Sequence, residues 1–289
     1  MLQDIVITAI INGSIYALLA IGFSLIFGVA RIINIAHTAF FMVGAYGIYL
    51  GTQILSLSPV VSMVGSTALV TLLGLFLYKF LIDPIREHEA AVLIATIALA
   101  ISIQEAMVLL FFANYVSVPS LLEGFFTLFG AKVFYQQLIT FLTVLGVLIA
   151  LWLLLMKTKL GIAIRCTAQD KEVANLMGIN ESRVAMYTTL ISVGLASFAG
   201  AVVVPLTTLH PYMWMHPLVM MMAVVVLGGL GSLKGSFIGA YIMGFAESLV
   251  VFLIPKGSFL KSAVALSIMI VILLIRPEGL FGVKFEEER

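Results

Sequence analysis

Five polar side chains stand inside otherwise apolar stretches: Asn34 and His37 in RIINIAHTAF, Gln104 and Glu105 in the run from 90 to 112, and Glu247 in the run from 237 to 254. Each is costly away from water. Each therefore either bonds to a neighbouring segment, for about 0.6 kcal/mol on average, or faces a water-filled path. Interhelical bonding is the better reading for Gln104, Glu105 and Glu247. Asn34 and His37 sit at a helix break, where bonding and lining a cavity weigh equally, and all five are candidates for a translocation path. A proton relay has less support, because the acids have no partner at helical spacing.

The second constellation is GIAIRCTAQDKEVANLMGIN, residues 161–180, the longest charge-bearing run in the chain. Thr167 followed by Asp170 has the spacing of a capping box, and Gly178 supplies a left-handed stop. The spacing predicts a helix of about ten residues between them, too short to be stable alone. Helical periodicity puts Cys166, Val173, Ala174 and Met177 on one face and turns Lys171, Glu172 and Asn175 away. Such a helix must dock. A flat seat on anionic lipid and a seat on a cytosolic protein are equally good hosts on these residues alone.

Glycine is concentrated in VVVLGGLGSLKGSFIGAY, where Gly228, Gly229, Gly231 and Gly235 point to a broken helix or tight turn. Lys234 is followed by Gly235 rather than Ser or Thr, so the run is not a phosphate loop. Gly235 with Gly239, and Gly47 with Gly51, have the spacing of close helix contacts. His210 and His216 lie six residues apart without acidic neighbours, a poor metal site. No motif for nucleophilic or metal-assisted catalysis occurs, and the single cysteine, Cys166, leaves no intrachain disulfide.

The elements that hold these groups are membrane helices. The chain is 62% hydrophobic and 10% charged, with a mean hydropathy of +1.20, which excludes an ordinary soluble domain. Nine hydrophobic segments are expected, near 4–29, 36–55, 60–82, 90–112, 136–156, 185–207, 217–233, 237–254 and 259–276. Because the second and seventh are short or glycine-broken, the expectation is an all-α polytopic bundle of eight to ten segments. The alternation of a β-barrel is missing, and a net charge of +1 gives no nucleic-acid footprint. The opening MLQD lacks a basic n-region, so the first segment reads as a retained helix rather than a signal peptide.

With the N-terminus outside, twelve of the Lys and Arg residues fall inside (Arg31, Lys79, Arg86, Lys157, Lys159, Arg165, Lys171, Arg183, Lys234, Arg276, Lys284, Arg289) and three outside (Lys132, Lys256, Lys261). That bias sets the orientation. The expected organisation is one domain over 1–289, with an inner segment at about 157–184 and an outer loop at about 113–135 that lies at the interface or carries a short helix. HTAFFMVGAY at 37–46 echoes SLKGSFIGAY at 232–241, as paired interrupted helices do in transporters built from repeats.

Four stretches in order, NGSIYALLAIGFSLIFGVARIINIAHTAFFMVGAY at 12–46, the segment at 161–180, LGGLGSLKGSFIGAYIMGFAES at 227–248 and RPEGLFG at 276–282, resemble the branched-chain amino-acid ABC transporter permeases. The resemblance is to the first of their two permease subunits and spans essentially the whole chain. Thr38 departs from a glycine common after the histidine in that family. The resemblance implies a subunit of an ATP-driven importer in a bacterial or archaeal inner membrane. The expected partners are a second permease, two cytosolic ATPases that bind ATP and Mg, a periplasmic or lipid-anchored binding protein, and membrane lipid. This chain would hold no cofactor and no ATPase site. The 161–180 segment aligns with the coupling loop that such permeases insert into the ATPase, which implies coupling roles for Arg165, Thr167, Asp170, Ala174, Met177 and Gly178. The expected substrate is leucine, isoleucine or valine. Urea, short amides or other amino acids are the alternative for the same machinery, and an ion-coupled carrier is a weaker one.

Overall fold

A computed structural model describes residues 1–128 and 130–282; Lys284 and Arg289, assigned above to the inner side, lie outside the described residues. Every expected hydrophobic segment is a helix. The long ones are α1 (Leu2–Ala30), α3 (Pro59–Leu77, continued by irregular turns to Ile85), α4 (Glu89–Phe111), α5 (Tyr135–Lys157), α8 (Glu181–Val203) and α10 (Leu233–Leu253). These six are long and apolar enough to cross a membrane. The short ones are α9 (Met215–Gly228) and α11 (Lys261–Ile275). Helix α2 (His37–Tyr49) is extended by a five-residue π-helical stretch, Leu50–Ile54. At about 1.5 Å per residue it approaches the ~30 Å of a bilayer core.

Burial decides the layering. The most apolar stretch of α1 is 72% buried and that of α8 61%, against 22–28% for α3, α4 and α5. α1 and α8 are therefore central, together with the largely buried α2 and α9; α10 packs on α1, and α3, α4, α5 and α11 are the more exposed helices. With no hydrophobic drive between helices in lipid, small residues must bring backbones together. A Cβ on Gly200 of α8 would fall on the Phe41 carbonyl of α2, and one on Gly44 would fall on the Ser197 carbonyl. Gly47 and Gly51 abut Ser66 and Ser62 of α3, the close contact their spacing predicts. Polar pairs add direction: Ser24 Oγ lies 2.5 Å from Ser236 Oγ, joining α1 to α10, and Ser66 Oγ donates to the Gly44 carbonyl at 2.8 Å.

Two breaks interrupt the helices. After α1, Arg31 takes a left-handed turn with φ 59°, and the chain runs irregularly to His37. Backbone exposed there needs partners. Thr96 of α4 supplies them, accepting from the Ile35 amide at 3.3 Å and facing the Ile33 carbonyl at 3.5 Å. The glycine break separates α9 from α10. The segment expected at 217–233 stops at Gly228, and Ser232 restarts the chain by accepting from the Gly235 amide at 3.1 Å. Gly228 and Gly235 meet backbone to backbone, and Gly229 and Gly231 have φ 98° and 80°. RPEGLFG closes onto this break. Leu280 and Phe281 amides donate to the Leu227 and Gly228 carbonyls at 2.8 and 3.0 Å, satisfying end groups of α9 that no helix bond reaches.

Of the two expectations for the loop at 113–135, the short helix is not formed among its described residues. The loop carries a two-stranded hairpin, β1 (Phe125–Leu128) with β2 (Ala131–Phe134), and a bridge from Val116 to Leu209. The aromatic and β-branched residues Phe125, Phe126, Thr127, Val133 and Phe134 favour the paired strand. At the opposite end, Lys171 Nζ reaches the Ala30 carbonyl at 3.3 Å, and Gly28 lies beside Gly231 and Ala168. Arg31, Lys157, Lys159, Arg165, Lys171, Arg183, Lys234 and Arg276 thus cluster at one end of the bundle.

Candidate functional site

At that cationic end α5 turns into two short helices, α6 (Lys159–Gln169) and α7 (Lys171–Leu176), before α8 begins. The single helix from Thr167 is not formed. Thr158 starts α6, accepting from the Gly161 amide at 3.0 Å and donating to the Leu154 carbonyl at 2.6 Å. Thr167 instead lies buried in the last turn of α6, not at a cap. Asp170 is the cap of α7: its backbone is extended (φ −152°), and Oδ1 accepts from the Val173 amide at 3.0 Å. Helical spacing read across an extended residue loses phase, which is why the single face expected from Cys166 to Met177 does not exist.

Gly178 closes α7 as predicted, at φ 83°. Its amide donates to Asn175 O and that of Ile179 to Ala174 O, both at 3.0 Å, the paired bonds of a Schellman stop. Asn180 then caps α8, accepting from the Arg183 amide at 3.0 Å. Lys171, expected to face away, is tied down by Glu181 at 3.4 Å. Ala174 points into the bundle, while Val173 is 53%, Leu176 86% and Met177 80% exposed. Arg165 and Asp170 are exposed beside them. A doubly capped elbow thus holds a small apolar tip clear of the protein, with charges of both signs around it. The spacing singled out Met177 but not Leu176, the most exposed of the three.

The intramembrane polar residues separate into two groups. Asn34 and His37 are buried at the α1–α2 break. His37 packs between α1 and α8, with Nε2 3.2 Å from Leu19 O, Nδ1 3.3 Å from Ser192 Oγ, and Phe23 edge-on at 6.2 Å. Neither borders the cavity described next. Gln104 is buried and accepts from Trp214 Nε1 at 2.8 Å, fixing α4 to the start of α9. Glu105, accepting from Gln104 Nε2 at 3.0 Å, faces outward from α4.

Glu247 has the richest surroundings. It is 2% exposed and meets Tyr16 of α1 (hydroxyl to Oε2, 2.6 Å), Lys261 of α11 (Nζ to Oε1, 2.8 Å) and His216 of α9 (Nε2 to Oε1, 3.5 Å). His216 Nδ1 lies 3.1 Å from Ser262 Oγ. These groups line a cavity of about 310 Å³ between the middle of α1 and the ends of α9, α10 and α11 remote from the elbow. His210, on the loop above, meets the Tyr115 ring at a tilt with centroids 5.3 Å apart, and burial pushes its imidazole below the usual range. None of these partners was legible from Glu247's own helix, because they come from three others. Among the described residues no group of three or more metal-binding side chains converges.

The sequence profile of the family described as branched-chain amino acid transport system / permease component matches residues 5–273. The chain is 28% identical to the high-affinity branched-chain amino acid transport system permease protein BraD of Pseudomonas aeruginosa, covering 93% of this chain and 92% of that protein. LivH of Escherichia coli, with the same descriptive name, gives 28% over the same shares. The probable branched-chain amino acid transport permease protein LivH of Methanocaldococcus jannaschii gives 30%, covering 96% and 92%. The fold is also that of a chain in the structure of PsaBC from Streptococcus pneumoniae in complex with Fab, with a TM-score of 0.54, 18% identity, and coverage of 96% and 92%. The profile match over residues 5–273 makes this multi-pass membrane protein a member of the branched-chain amino acid transport permease family.

Proposed function

We propose that this chain is one permease of an ATP-driven importer for branched-chain amino acids, and that its α6–α7 elbow is the seat of a cytosolic ATPase. The observation that carries this reading is the exposed tip of Val173, Leu176 and Met177 on a doubly capped support. A tip meant for lipid would carry a basic face, and this one mixes Arg165, Asp170 and Glu172. ATP and Mg reside on the ATPases and none on this chain. Closure of the ATPase pair moves the elbow, and the bundle opens its path to alternate sides. The cationic end is cytoplasmic by the positive-inside rule, which puts the start of α1 outside and the end of α11 inside.

A second permease covers α4. Glu105 lies six residues from the end of that helix, about 9 Å into it, and a charged group facing lipid costs several kcal/mol near the midplane. A donor from a partner subunit removes that cost. A binding protein delivers substrate at the hairpin end. Urea, amides or other amino acids remain the alternative cargo.

The test is a double substitution, Asp170→Lys with Gly178→Trp. Loss of the cap costs about 1 kcal/mol, and a Cβ at φ 83° costs about 1–2 kcal/mol more. A six-residue helix has no stability of its own to offset this. The variant should insert normally yet release its ATPase on purification. Retention of the normal amount of ATPase defeats the proposal.

A further inference from the structure

The cavity around Glu247 has a charge pattern that the coupling role does not use. We propose that it is an exchange site for an apolar α-amino acid in its zwitterionic form, entered from the hairpin end during transport. The inference rests on the amino-acid importer reading and locates a ligand site within it.

The argument starts from the ion pair. Glu247 is nearly inaccessible, yet the 2.8 Å pair with Lys261 forms one wall of an open cavity. Buried pairs of this kind contribute little net stability, and apolar residues of similar volume commonly replace them without loss. Its presence in a membrane protein points to use. The wall carries one carboxylate and one ammonium, with the Tyr16 hydroxyl and the His216 imidazole as further hydrogen-bonding groups. A zwitterion can substitute for both halves of the pair: its ammonium takes Glu247, and its carboxylate takes Lys261. No charge is then left unpaired, so neither protein ion has to be neutralised or rehydrated. A ligand with one charge leaves one of the pair unmatched, and this is costly for Glu247, which is 2% exposed.

The spacing selects further. Because the two protein charges are in contact, a ligand bridging them needs its own charges close together, as on one α-carbon. Leu19, Phe41 and Met213 also line the cavity and offer contacts for an aliphatic side chain. A volume of about 310 Å³ is at the small end of ligand pockets. The same four-helix cluster joins α1, α9, α10 and α11, so exchanging its internal pair for ligand contacts loosens one end of the bundle while substrate is present.

The experiment uses the assembled transporter in nanodiscs without nucleotide or binding protein, with radiolabelled leucine as probe. Unlabelled leucine should displace it at concentrations at least tenfold below those of 4-methylpentanoate, 3-methylbutylamine or 6-aminohexanoate. Lys261→Met should weaken leucine at least tenfold in a complex that still retains its ATPases. The competition series needs no variant, so it decides the matter even if Lys261→Met fails to assemble. Equal displacement by the singly charged analogues overturns the proposal. So does the lack of leucine binding at millimolar concentration in a complex that still imports leucine with its binding protein, which leaves the permease reading intact. Failure of leucine import and of ATPase association together sinks that reading instead.

Discussion

Replacing Leu176 and Met177 together by aspartate is expected to lower ATP-driven transport by roughly 100-fold or more without unfolding the protein. Both side chains are largely exposed, at 86% and 80%, and surface changes of this sort usually alter stability by no more than about 0.5 kcal/mol. Seated in a partner's cleft, each would bury an apolar side chain worth about 1.5–3 kcal/mol. Losing both removes about 3–6 kcal/mol, and each 1.4 kcal/mol is about tenfold in affinity. The measurements are transport in reconstituted vesicles and thermal unfolding of the same preparation. Unchanged transport, or a collapse of stability that tracks the loss of transport, contradicts the assignment of these residues to docking.

The second large effect separates glycines that hold helices together from those that do not. Gly200→Ala places its Cβ on the Phe41 carbonyl. Backbone stands on both sides, so no side chain can rotate away and α2 must move off α8. Overpacking costs about 1–3 kcal/mol in ordinary cores, and this contact belongs at the upper end. Gly146, in the middle of α5, has nothing within 4 Å of a Cβ. Gly146→Ala should be neutral or stabilising, by up to about 1 kcal/mol from helix propensity. Thermal unfolding in one detergent compares the two. A larger loss for Gly146→Ala than for Gly200→Ala contradicts the picture of α8 clamped to α2 through bare backbone.

Much of this architecture is legible in the residues. The apolar runs mark every hydrophobic helix, because a bilayer tolerates only backbone that satisfies itself. Gly178 announced the left-handed stop of α7, and the Gly228–Gly235 cluster announced the break before α10. The cap was one motif off. Thr167 and Asp170 have the spacing of a capping box, but Asp170 leaves the helical region and caps a new helix, so Thr167 falls into the preceding one. Local spacing could not distinguish these, since both Thr158 and Thr167 precede apolar helical patterns. The surroundings of Glu247 and the backbone of the 31–36 break were illegible for another reason. Tyr16, His216 and Lys261 lie 231, 31 and 14 positions away along the chain from Glu247, and Thr96 is some sixty from Ile35. Only the packing of helices brings them together. The outer hairpin was obscured by its apolar composition, which suits an interfacial helix as well as a pair of short strands. RPEGLFG could be read as a resemblance to a family, while its physical role, hydrogen bonding to the last carbonyls of α9, appears only in three dimensions.

The most direct measurement of the central claim is site-specific cross-linking from the tip of the elbow. Cys166 is the chain's single cysteine. In a Cys166→Ser background, Leu176→Cys carries a short photoactivatable cross-linker in the assembled transporter. The account predicts a covalent product with the cytosolic ATPase, in a yield that changes between the nucleotide-free and ATP-bound states. A product with lipid alone, or the same yield in every nucleotide state, contradicts it.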